Sequence, residues 1–379
     1  MRDERNVAVF SIFENLTDPR VDRTKQHRLI DMVVIALCAT LAGADSWVDV
    51  VRFGRSKESW LRGFLALPYG IPSHDTFGRV LGRLDTAEFL ACLEGWLKSW
   101  RGDLAGKTVS IDGKTLRGSF DKATGKSALH LVTAWASDAR LVLGQVATDQ
   151  KSNEITAIPL LLDLIEIAGA VVTIDAMGCQ KAIAAKVRKR GADYVLALKD
   201  NQPTLHAEVS DCFEKLLNGT ANDAKLRRHV EVERSHGRDE RREYAIFPAP
   251  LTLTGRSDWA DLQSIGMVTR IRTVNGVETG ETSYYLLSLP PKVKPFAKSA
   301  RQHWGIENCQ HWTLDVTFSE DKSRIRKGNG PHIAGIFRRL ALSIPQQDTT
   351  VKENIRGKRK LAGWDLATLQ SILTGIPVK

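Results

Sequence analysis

The chain has 379 residues, enough for two or three structural units, and its 42% hydrophobic content excludes a disordered or low-complexity protein. Lys and Arg number 54 against 44 Asp and Glu, a formal charge of +10 that suits a polyanionic partner without demanding one. Cys38, Cys92, Cys179, Cys212 and Cys309 are odd in number and form no C-x-x-C pair, MRDERNVAVF has no signal-type apolar core, and Met32 to Ala44 is too short to span a bilayer, so a reducing, cytoplasmic setting is expected and a zinc module, disulfide framework or membrane role is not.

From Lys25 to Leu67 the apolar residues recur at helical spacing with breaks at Gly43 and Pro68, which predicts two or three packed helices. After PYGIPSHD, Ser73 or Asp75 can cap a further helix that presents Arg79 and Arg83 on one face. A DNA-reading helix pair and a plain helical bundle both fit residues 1–101. Gly102 and Gly106 mark a linker, and VSID, ALHLVTAWASD and RLVLGQVATD then predict three successive strands, the last two joined by the turn SDAR. ITAIPLLLDLIEI reads as an amphipathic helix, GAVVTID as a buried strand, CQKAIAAKVRKRG as a helix and ADYVLALK as another buried strand. Three antiparallel strands followed by helix, strand, helix, strand is the order of a ribonuclease H-like sheet, so the expected class is α/β, with a catalytic region over 102–379 behind the N-terminal helical domain. Charged or alternating runs with turn signals such as Asn275-Gly276 predict a β-rich insertion at about 204–291, which would have to fold by itself. FAKSARQHWGIENCQHWTLDVTF returns to helix, and about 331–379 forms a basic helical tail.

Asp112 and Asp175 each close an apolar run ending in Ile-Asp, 63 residues apart, and Glu307 follows 132 residues later on a predicted helix. Carboxylates delivered from strand ends and a helix face are the hard oxygen donors that phosphoryl transfer with divalent metal requires, so all three are candidate catalytic and metal-binding residues. An Asp after a strand also commonly caps a turn; the repetition of the pattern favours the metal site. His303, Glu307 and His311, four residues apart, would share one helix face and allow a rival transition-metal site, with Trp304 and Trp312 as core anchors. A nucleotide-binding loop is excluded, because GKT at 106 and at 113 would need glycines at 101 and 108, where Arg101 and Thr108 stand. Lys114 and Arg117 beside Asp112, and Arg324, Arg326, Lys327, Arg338 and Arg339 further on, are candidate phosphate contacts. Arg234, His236, Arg238, Arg241 and Arg242 in RSHGRDERREY are alternatively DNA contacts or partners of neighbouring acids.

In this order IDGKTLRGS, GQVATDQKSNEITAIP, TIDAMGCQKAIA, GADYVLALKDNQPTL, RSHGRDERREY, HWGIEN and HWTLDVTFSEDKSRIRKGN resemble the H-repeat-associated transposases, DDE-class insertion-sequence enzymes of the ISAs family. The resemblance runs from FENLTDPR nearly to the C-terminus and implies a ribonuclease H-like core with a β-rich insertion, cleavage and strand transfer at element ends, Mg²⁺ (or Mn²⁺) at Asp112, Asp175 and Glu307, double-stranded DNA as partner, nucleoid association and a homodimer that pairs two ends. Related transposases carry Tyr, Arg and Lys around the glutamate where this chain has Ala300, His303 and Leu314, which leaves Arg301, Lys298 and His303 as substitute DNA contacts. Asp315, Glu320 and Asp321 also match the group and could replace or assist Glu307. A DNA-binding relic without catalysis and a host nuclease without strand transfer are the alternatives.

Overall fold

The nearly uninterrupted apolar run from Met32 to Leu41 forces the first long helix into the interior. In the computed structural model, which describes residues 10–122, 124–148, 154–222, 225–235 and 238–374, helix α1 (Leu29–Leu41) is buried at every position but Ile30. Its one buried acid, Asp31, is stabilised by the backbone N–H of Leu67, which donates to Oδ2 at 3.0 Å. Helices α2 (Trp47–Ser56), α3 (Glu58–Leu61), α4 (His74–Leu81) and α5 (Thr86–Arg101) complete the N-terminal layer. Ser73 caps α4 by accepting from Thr76 N–H at 3.2 Å, and Arg79 and Arg83 are exposed at its C-terminal end. The expectations on residues 1–9 and on His236 fall outside the described residues.

Nine strands form a single mixed sheet in the order β3-β2-β1-β4-β5-β9-β8-β7-β6. Strands β1 (Thr108–Leu116), β2 (Leu129–Ala136) and β3 (Leu141–Thr148) are antiparallel neighbours. Helix α6 (Glu154–Leu164) crosses to β4 (Val171–Ile174), parallel to β1, and α7 (Lys181–Lys189) crosses to β5 (Asp193–Leu198), parallel to β4. The crossovers follow from the sequence, since buried runs such as VVTI and YVLAL need both sheet faces covered. β1 extends beyond the expected VSID through Leu116, so Asp112 lies within a strand rather than at its end.

After α8 (Pro203–Leu217), the β-rich segment does not stand apart. Strands β6 (Arg227–Ser235), β7 (Arg238–Pro248), β8 (Ser264–Val274) and β9 (Val277–Leu287) extend the same sheet through the antiparallel pair β5 and β9. Asn275 (φ 50°) and Gly276 (φ 77°) form the expected tight turn between β8 and β9, a left-handed conformation that these residue types adopt at low cost. Helix α9 (Val293–Gly305) then returns across the sheet and buries Phe296, Ala297 and Ala300 against Val171, Val195, Tyr244 and Tyr285. It passes into a π-helical turn (Ile306–His311) and a short α10 (Trp312–Val316). Helices α11 (Gly330–Gln347), α12 (Ile355–Trp364) and α13 (Leu366–Thr374) pack back on the N-terminal layer, so one apolar cluster runs from Phe10 to Leu373. No helix among the described residues is long and apolar enough to cross a membrane.

Candidate metal centre

The parallel register that sets Ile111 beside Ile174 puts the residues that follow them, Asp112 within β1 and Asp175 just past the end of β4, side by side. Ser110 and Thr173, two residues before the aspartates and so on the same face, are buried and linked at 3.1 Å, and Thr173 Oγ1 also lies 3.0 Å from His303 Nδ1 of α9. That polar bridge fixes α9 over the strands carrying the two acids. Asp112 Oδ1 accepts from Gly113 N–H at 2.8 Å and Asp175 Oδ1 from Gly178 N–H at 3.2 Å.

A third carboxylate arrives from an unexpected place. Glu154, the first residue of α6, offers an oxygen that lies with oxygens of Asp112 and Asp175 all within 4.8 Å of one another. His130 Nε2 of β2 stands 2.9 Å from Glu154 Oε1, and His130 Nδ1 stands 2.8 Å from Thr115 Oγ1. No Lys or Arg pairs with Asp112 or Asp175 among the described residues; His311 Nδ1 lies 3.5 Å from Asp112 Oδ2. Burial, followed by the charges of Glu154, Asp175 and Glu307, pushes the Asp112 carboxyl up to about 7, against the opposing backbone hydrogen bond from Gly113. Burial and the Glu154 charge raise Asp175 as well, while Lys199 just beyond β5 draws it down. Three partly buried hard-oxygen donors, converging without an internal cation, fit a divalent metal ion.

Glu307 is close enough for its charge to raise Asp112, but it is exposed on the π-helical turn and does not complete a triplet with Asp112 and Asp175 at the spacing Glu154 achieves. The π-helical turn also dissolves the rival site. His303 turns to Thr173 and His311 to Asp112, while Glu307 is exposed, and the three form no metal-ligand group among the described residues. Burial drops His303 to about 4 and His311 to about 3, His311 being lowered further by Arg339 and Lys114. Both rings are therefore neutral near pH 7, and His303 carries no charge for a phosphate. Trp304 and Trp312 are not core anchors: they are 37% and 61% exposed, with the Arg270 guanidinium 5.4 Å over the Trp304 ring.

Several expected phosphate contacts are internal. Lys114 is 8% exposed and its ammonium donates to both oxygens of Asp315 at 2.8 and 2.7 Å, with Asp321 at 3.5 Å. Arg338 and Arg339 are buried; Arg339 donates to the fully buried Glu320 at 2.9 Å, and Arg338 to Ser323 Oγ at 2.7 Å. Asp315, Glu320 and Asp321 are thus occupied by cations of their own chain. Arg301 pairs with Glu233 at 3.1 Å and Lys298 with Asp138 at 3.1 Å. Arg326 stacks 4.9 Å over Phe120 and donates to Gly118 O at 3.2 Å. Arg117, Arg324 and Lys327 are exposed; Arg117 approaches Asp321 at 3.5 Å. Arg238 begins β7, paired with Ser235 at the tip of its hairpin.

Comparisons with known proteins identify the family of the whole chain. Residues 104–344 match the Transposase DDE domain model and residues 10–97 the model described as DDE_Tnp_1-associated. The chain therefore belongs to the DDE transposases. Within them it falls in the H-repeat-associated group: it is 36% identical over 92% of its length to the H repeat-associated putative transposase YhhI of Escherichia coli K12, covering 93% of that protein. It is also 36% identical to the putative transposase YncI of Escherichia coli O157:H7, over 94% of this chain and 92% of that one. A cryo-EM structure of the piggyBac transposase synaptic complex with hairpin DNA aligns over 98% of this chain and 77% of its own at 10% identity and TM-score 0.39, a likeness too weak to support inference.

Proposed function

We propose that this protein is an insertion-sequence transposase that cleaves DNA at element ends and transfers the freed strands, using divalent metal, Mg²⁺ or in its place Mn²⁺, bound through Asp112 and Asp175 with Glu307 as the later acidic residue. The observation that carries the proposal is the side-by-side placement of Asp112 and Asp175 in a carboxylate cluster with which no Lys or Arg of the described residues forms an ion pair. The order and directions of β1 to β5 support a ribonuclease H-like core over 102–379, with 204–291 as its β-rich addition and about 331–379 as its helical tail. A divalent ion there would acidify an attacking water or 3′-hydroxyl and offset charge at the scissile phosphate. The protein's own residues do the rest: Asp112 and Asp175 hold oxygen donors at fixed spacing, and Ser110, Thr173 and His303 lock the helix above them. Arg117, Arg324 and Lys327 offer exposed charge for the DNA backbone, with Arg238 of the inserted strands as a further contact. Pairing of two ends calls for a homodimer.

The test uses supercoiled DNA bearing the flanking ends of the element, with Mg²⁺ or EDTA, beside Asp112→Ala. Cleavage and joined products that need both metal and Asp112 support the proposal. Binding without any cut in Mg²⁺ would identify a DNA-binding relic, and cutting without joined products a nuclease. The helical region 1–101 is proposed to contact element ends; because its helices share a core with α11 to α13, Arg79→Ala and Arg83→Ala, rather than deletion, test it, with loss of end-specific binding expected.

A further inference from the structure

Resting on the metal-site reading above, we propose that Glu154 is a ligand of this centre and His130 the residue that positions it, so that the acids receiving the first divalent ion are Asp112, Asp175 and Glu154. The family pattern of two aspartates and a late glutamate does not include a residue at the start of α6.

Three features of the structure support this. Among the described residues Glu154 alone joins the two aspartates within 4.8 Å, whereas Glu307 is exposed on a turn of different helical pitch. His130 and Thr115, opposed on neighbouring strands, form a brace: Thr115 Oγ1 to His130 Nδ1 at 2.8 Å and His130 Nε2 to Glu154 Oε1 at 2.9 Å. A neutral imidazole satisfies this chain, accepting from the threonine hydroxyl and donating to the carboxylate, and leaves the second carboxylate oxygen free for a ligand. Finally, the strand makes room for Glu154. A Cβ at Gly113 would lie 2.0 Å from Glu154 Oε1 and 2.4 Å from His130 Nε2, so any side chain after Asp112 would displace the acid and its brace from their present positions. Glu307 then remains available as a fourth carboxylate, which a two-ion site can use.

The experiment is titration of the full chain with MnCl₂ alone, followed by calorimetry and by the Mn²⁺ electron paramagnetic resonance signal, with no DNA present. Wild type is compared with Asp112→Asn, Glu154→Gln, Glu307→Gln, His130→Ala and His130→Gln, each checked for folding by circular dichroism and thermal unfolding. Glu154→Gln should weaken Mn²⁺ binding by at least about tenfold, as removal of a direct ligand requires, and His130→Ala by roughly tenfold. His130→Gln, which keeps a donor toward Glu154, should recover most of the His130→Ala loss. Gly113→Ala, with Glu154 itself intact, should show the same deficit as Glu154→Gln. Glu154→Gln binding like wild type while Asp112→Asn and Glu307→Gln bind poorly would overturn the inference and leave the transposase reading standing. Absence of Mn²⁺ binding to wild type, or equal binding by wild type and Asp112→Asn, would remove the metal-site reading and this inference together.

Discussion

Two regions of this molecule bury charge in opposite ways. In the crevice beside β1 and β4, Asp112, Asp175 and Glu154 gather like charges and no Lys or Arg pairs with the two aspartates among the described residues. Around α11, Glu320 meets Arg339 at 2.9 Å and Arg338 at 3.9 Å, Asp348 meets Lys358 at 2.9 Å, and Arg359 meets Asp45 at 2.6 Å while lying 4.5 Å over Phe318. Charge removed from water must be compensated. The second region compensates its own, as structure requires; the first does not, and on that difference the proposed metal site rests.

The comparison is broken most forcefully at the aspartates. Asp112→Asn or Asp175→Asn should lower end cleavage by at least roughly 10³-fold, the consequence of losing several kcal/mol of metal-derived stabilisation, without loss of the folded state. If either variant cleaves like wild type, the crevice is not catalytic. In the other region the same kind of change should act on stability. Arg339→Ala leaves buried Glu320 with only the longer 3.9 Å contact to Arg338, at a cost of about 3 kcal/mol measured by urea unfolding. A surviving variant should cleave normally at low temperature.

A subtler difference lies in the response to pH. Because the folded protein holds Asp112 up at about 7, above the ordinary value of 3.8, its burial destabilises the fold fully above pH 7, and the penalty disappears as pH falls toward 4. In EDTA, thermal stability of wild type should therefore fall across pH 4 to 7, and Asp112→Asn should be flatter and more stable than wild type at pH 8. Asp175 is shifted the same way, so its Asn variant should follow in the same direction. Mg²⁺ should reverse the loss in wild type and not in Asp112→Asn. The smallest expected effect is at the surface. Arg324→Ala and Lys327→Ala should each weaken DNA binding modestly and reduce the salt slope by about one, measured by anisotropy across salt concentrations. Lys114→Ala should instead lower stability, since its ammonium is committed to Asp315.

How far the sequence discloses this arrangement depends on distance along the chain. The alternation of buried strands and crossover helices over 129–198, the turn at Asn275-Gly276 and the pairing of Asp112 with Asp175 all follow from local periodicity and strand order. Glu154 is hidden because an acid at a helix start ordinarily serves the helix dipole, and only the fold shows it beside β1. The Lys114 and Asp315 pair, 201 residues apart, has no local signature, so a lysine next to a candidate metal-binding aspartate reads as a phosphate contact. Arg338 and Arg339 mislead likewise, because adjacent arginines on a helix predict a solvated face unless a buried acid such as Glu320 is known to oppose them. The π-helical turn at Ile306–His311 cannot be read from spacing; it leaves Glu307 exposed while His303 and His311 both turn to the sheet.

The most direct measurement is cleavage of an end substrate with a single sulfur in place of a non-bridging oxygen at the scissile phosphate. If ions held by Asp112 and Asp175 touch that phosphate, one sulfur diastereomer should be cut slowly in Mg²⁺ and regain most of its rate in Mn²⁺, which accepts the softer ligand. Equal cutting of oxygen and sulfur substrates in Mg²⁺, or a sulfur defect that Mn²⁺ leaves unchanged, would contradict a metal centre at the carboxylate crevice.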